Sequence, residues 1–67
     1  MTHANVKAAF EKIFPLFAGG VTEWFPNGKN SIRVRIGELY QDYVFTFHSA
    51  TEWKFETIDS FLKNLNK

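Results

Sequence analysis

From Ile32 to Phe55, large apolar side chains return at every second position in three successive runs: Ile32, Val34 and Ile36; Tyr43, Phe45 and Phe47; Trp53 and Phe55. Side chains alternate sides along a strand, so each run turns its bulky residues one way and its polar ones the other. The runs predict a small antiparallel sheet with an aromatic inner face. Arg33, Arg35, Thr46, His48, Lys54 and Glu56, with Val44 as the single apolar member, fall on the opposite, wetter face.

Upstream, Val6, Ala9, Phe10, Ile13 and Phe14 recur with the 3.6-residue period of an amphipathic helix over Ala4 to Phe14. Lys7 and Glu11 lie one turn apart on its polar side. Pro15 lacks a backbone donor and disfavours helical geometry at Phe14, which ends or kinks the helix there. Leu16 and Phe17 then form an apolar turn, and Gly19-Gly20 precedes a first strand from Val21 to Phe25.

Pro26-Asn27-Gly28 reads as the turn into the next strand. A three-residue loop pairs Phe25 with Lys29 and turns Trp24 inward; a two-residue Asn27-Gly28 turn would bury Glu23 instead, at a cost of several kcal/mol. The longer loop is therefore expected, with Phe25 exposed beside Arg33 and Arg35. In the middle hairpin, pairing Ile36 with Tyr43 or with Leu39 keeps the faces intact, because the two registers differ by an even shift. Whether Arg33 meets Asp42 depends on that choice.

Residues Glu52 to Glu56 suit either a helix, with Ser49 and Glu52 as a capping box, or a fourth strand. A Ser49-Ala50-Thr51 loop would match Phe47 with Trp53, Phe45 with Phe55 and His48 with Glu52, so a strand is expected. Thr57 then caps a last helix with the stripe Ile58, Phe61, Leu62 and Leu65. The predicted fold class is α+β: one domain over residues 1–67, built as helix, antiparallel meander of three to four strands, and C-terminal helix. Both helices are expected on the aromatic face, leaving the other open to water.

Composition explains how so short a chain can fold. At 67 residues it lies near the lower limit for a single core, and its aromatic content of 18% supplies the apolar area. Without cysteine there is no disulfide framework and no thiolate site, so a cytoplasmic setting is the default expectation. No apolar run approaches the roughly 20 residues that cross a bilayer, and no membrane partner is expected.

Candidate chemistry is sparse. His48, Ser49 and Glu52 evoke a hydrolase, yet no third orienting group or oxyanion loop accompanies them, and the expectation is no enzyme. His3 and His48 are too few and too far apart to suggest a metal site, and no cofactor motif is present. Basic and aromatic residues do gather on or near the open face: Phe25, Lys29, Arg33, Arg35, Tyr40, His48 and Lys54 are the candidate binding surface. Such a sheet can bind single-stranded nucleic acid by stacking and phosphate contacts. A formal net charge of +1 argues against that as the main role.

The leading expectation is a small protein-protein interaction module acting through its surface as an adaptor, regulator or inhibitor. It includes a homodimer that pairs edge strands or hides the open face. Single-stranded nucleic-acid binding is the alternative. An origin in phage or another mobile element suits the size, although no residue bears on it.

Overall fold

The computed structural model describes residues 2–65. Its elements are α1 (His3–Ile13), α2 (Pro15–Gly19), β1 (Val21–Gly28), β2 (Ser31–Ile36), a 3-10 turn (Gly37–Leu39), β3 (Gln41–Ser49), β4 (Glu52–Thr57) and α3 (Ile58–Leu65). The strands form one antiparallel sheet in the order β1-β2-β3-β4. This is the helix, four-stranded meander and helix that the alternation of apolar residues predicts.

The inner face carries the core. Val6 and Phe10 of α1 are buried against Ile32, Val34 and Phe45 of the sheet. Phe10 meets Phe45 edge-on with ring centroids 5.4 Å apart, and Phe14 lies 4.8 Å from Phe55. Each such side chain contributes about 1.5–3 kcal/mol on burial. Thr2 caps α1 by accepting the Asn5 N–H at 3.2 Å, and Lys7 pairs with Glu11 at 3.1 Å as its spacing predicts. Phe14 ends α1 as expected, but Leu16 and Phe17 belong to a second short helix rather than a turn. Pro15 stands at its first position, where a missing N–H costs nothing.

The turns differ from expectation in ways the polar side chains explain. The first hairpin turns at Lys29-Asn30, not at Pro26-Asn27-Gly28, so Phe25 pairs with Arg33 and not with Lys29. The Ser31 hydroxyl accepts the Gly28 N–H at 2.8 Å and the Asn27 side-chain amide at 3.1 Å, which pins this later turn. Gly28 does not adopt a left-handed conformation; it is small because a Cβ there would sit 2.8 Å from Ser31 Oγ. Register shifts at Thr22 and Asn27 bring both Val21 and Trp24 to the inner face.

Ile36 pairs with Gln41, between the two registers considered, because Gly37 to Tyr40 make a four-residue connection with Tyr40 left-handed at φ 51°. In the last hairpin, Phe47 pairs with Trp53 and Phe45 with Phe55 as predicted. The turn itself is the shorter Ala50-Thr51. Ser49 Oγ accepts the N–H groups of Thr51 and Glu52, drawing Ser49 opposite Glu52 and leaving His48 in a bulge.

The two helices do not share a face. Thr57 caps α3 as expected, accepting the Ser60 N–H at 3.1 Å. However, Ser60 and Asn64 both donate to Glu56 Oε1, at 3.4 and 3.2 Å, and Glu56 lies on the outer face beside Val44. Val44 is fully buried there, outside the inner core cluster. The last helix therefore covers the β3–β4 half of the outer face. A lone valine on a wet face leaves apolar area exposed, and the apolar side of α3 removes it from water.

Candidate functional site

What remains open on the outer face is its β1–β2 half. Glu23, Arg35 and Asp42 form one row across β1, β2 and β3, and Phe25, Arg33, Val44 and Glu56 form the next across all four strands. Asp42 sits between the two arginines. Its carboxylate accepts from Arg33 Nε at 2.8 Å and from Arg35 Nε at 3.0 Å, while Arg33 Nη2 approaches to 2.6 Å. Arg35 also reaches Glu23, at 3.5 Å.

The Asp42 side chain is only 11% exposed, so its lone pairs face the guanidinium groups more than water. The hydrogen bond from Arg35 is the main cause that holds its carboxyl below the usual carboxylate range; the Arg33 bond adds to it, against the opposing effect of burial. The same bond from Arg35 to Asp42 raises the Arg35 guanidinium further. Two cations and two anions thus satisfy one another within this patch.

The sequence-predicted surface is divided. Phe25, Arg33 and Arg35 are brought together, with Phe25 directly opposite Arg33. Lys29 lies in the β1–β2 turn and His48 beside the β3–β4 turn, both at one end of the sheet, whereas Tyr40 closes the β2–β3 turn at the other end. Lys54 is on the edge strand β4 opposite Thr46, and α3 stands over Val44 between that edge and Arg33. Tyr40 is 93% exposed.

Ser49 Oγ serves its turn, accepting the N–H groups of Thr51 and Glu52. His3 is engaged elsewhere, its Nε2 donating to the Gly28 carbonyl at 2.6 Å and tying α1 to the end of β1. Two shallow clefts flank the β3–β4 hairpin: one lined by Ala9, Lys12, Ile13, Phe47 and Ala50, the other by His48, Thr51, Glu52, Trp53 and Lys54. Neither brings together a nucleophile and a base with an orienting partner.

Reading the sequence alone misses two features. Asp42 is the hub that neutralises the arginines, and its role was hidden in the undecided hairpin register. The seating of α3 on the outer face is the other: it leaves Leu62 and Leu65 of the predicted stripe exposed, Leu65 by 64%. Ser60 and Asn64 mark the side of α3 turned to β4, and Leu62, about half a turn around the helix, lies on the side away from it. Val44, the one apolar residue among polar neighbours, was the available signal that something covers this face.

Near the β4 edge the inner side is also apolar. Trp53 is 40% exposed, and Leu16, in the short helix that sets Phe17 against Phe55, is 92% exposed. No helix among the described residues is long and apolar enough to cross a membrane. No protein-family model, curated protein or solved structure matches the chain.

Proposed function

We infer that this protein is a protein-protein interaction module that works by presenting its surface and carries out no catalysis. The observation that supports this is the internal neutralisation of Arg33 and Arg35 by Asp42 and Glu23. A phosphate would have to displace carboxylates already at hydrogen-bond distance. What the surface offers unsatisfied is apolar area: Leu16, Phe25, Trp53, Leu62 and Leu65. Exposed apolar side chains of this number on so small a body suit burial against another protein.

Fluorescence anisotropy with labelled single-stranded DNA and RNA tests the reading. At about 0.15 M salt, where the Debye length is roughly 8 Å, a flat titration is expected. Micromolar or tighter binding that is lost when Arg33 and Arg35 are both changed to Gln would overturn it in favour of nucleic acid.

A further inference from the structure

We propose that β4 is a homodimerisation edge, pairing antiparallel with β4 of a second copy about a two-fold axis at Phe55. The proposal rests on the protein-contact reading above and names its partner. The sheet has two edges, and they are built differently. β1 is interrupted by register shifts at Thr22 and Asn27 and carries Pro26, which cannot donate to a neighbouring strand. From Trp53 to Thr57, β4 has no bulge, glycine or proline.

The side chains of β4 select one register. In an antiparallel pair, opposed residues must present their backbone groups alike, so two identical strands related by a two-fold axis centre on a residue facing itself. Centred on Lys54, the pair sets Lys54 against Lys54 and Glu52 against Glu56. A pair centred on Glu56 sets carboxylate against carboxylate. Like charges directly opposite are destabilising in both. Centring on Trp53 matches Glu52 with Lys54 but engages only the first half of the strand.

Centred on Phe55, the pairing opposes Lys54 to Glu56 twice, by symmetry, and Trp53 to Thr57 twice, with Phe55 against its counterpart. Lys54 and Glu56 are suited to this. Lys54 is exposed and makes no ion pair among the described residues. Ser60 and Asn64 engage only Oε1 of Glu56, leaving Oε2 for a lysine across the axis. On the inner side, the exposed Trp53 and the Leu16–Phe17 turn of helix flank the same edge and supply apolar area to the contact.

Sedimentation or light scattering on the purified, nuclease-treated chain should give twice the 7.8 kDa monomer mass. Lys54→Glu should return it to the monomer, and Lys54→Glu combined with Glu56→Lys should restore the doubled mass. Because the chain has no cysteine, register can be read by cross-linking. A mixture of Lys54→Cys and Glu56→Cys chains should form a disulfide-linked dimer under mild oxidation. Neither chain alone should do so, since the like positions lie more than about 7 Å apart across this axis. A wild-type chain that stays at monomer mass up to roughly millimolar concentration, where even a Kd of 1 mM would register, overturns the dimer. Cross-linking by Lys54→Cys alone overturns the register. A monomer leaves a different protein partner as the reading, whereas oligonucleotide binding removed by the double arginine change strikes that reading and not the measured mass.

Discussion

Asp42 decides the character of the outer face more than any other residue. A carboxylate held by two guanidinium groups converts what composition presents as a basic strip into a nearly neutral one. Its lowered pKa stabilises the fold, with a definite pH dependence. The folded-state value lies below the ordinary 3.8, so the stabilisation is complete above that value and is lost as pH falls through the depressed one. Asp42→Asn should cost about 1 kcal/mol at neutral pH, the upper end for such partly exposed pairs. The difference from the parent chain should shrink towards zero in acid. Urea denaturation of both chains at neutral and acidic pH measures it, and a difference that persists unchanged in acid would show that charge is not what Asp42 contributes.

Among the elements, β3 carries the clearest test because its neighbouring residues have different covers. Phe45 lies in the inner core, Val44 lies under α3 and Thr46 is only half-buried. Phe45→Ala should cost about 3–5 kcal/mol through lost transfer energy and a cavity. Val44→Ala should cost about 2 kcal/mol, from two methyl groups at about 0.8 kcal/mol each and a small void. For Thr46→Ala the expected cost is under about 1 kcal/mol. Chemical denaturation gives the ranking, and a Val44 cost as small as that of Thr46 would mean that α3 does not dock. Element types and faces were legible because period two is unambiguous over Tyr43 to Phe47. Registers were less legible: an even shift preserves every face, and the choice fell to the Ser31 hydroxyl in the first hairpin and to the Gly37–Tyr40 connection, with Tyr40 left-handed, in the middle one. The placement of α3 was misread because its stripe and the inner face are both apolar, and only Val44 argued for the other side.

The molecule as a whole has a Cα radius of gyration of 11.2 Å, matching the roughly 11 Å expected of a compact chain of this length. Each strand pairs only with its neighbours in sequence, so closing the sheet never requires joining distant parts of the chain. Refolding should therefore occur on the scale of about milliseconds, and stopped-flow fluorescence of the two tryptophans follows it. A main phase slower than seconds would contradict that topology. Of the candidate surface, Phe25, Arg33 and Arg35 were legible together because they share one face of one hairpin. The dispersal of Lys29, Tyr40 and His48 to opposite ends depends on how the meander folds back. The contrast between the two sheet edges bears finally on how far association can proceed. Strand addition is in principle an open-ended process, and a sheet with two receptive edges is a seed for fibres. Here Pro26 and the bulges at Thr22 and Asn27 act as a terminator on one side. Any growth by strand addition starts at β4 and, once that edge is occupied, presents only β1 to the next molecule, so the chain's own architecture favours a closed assembly over a filament.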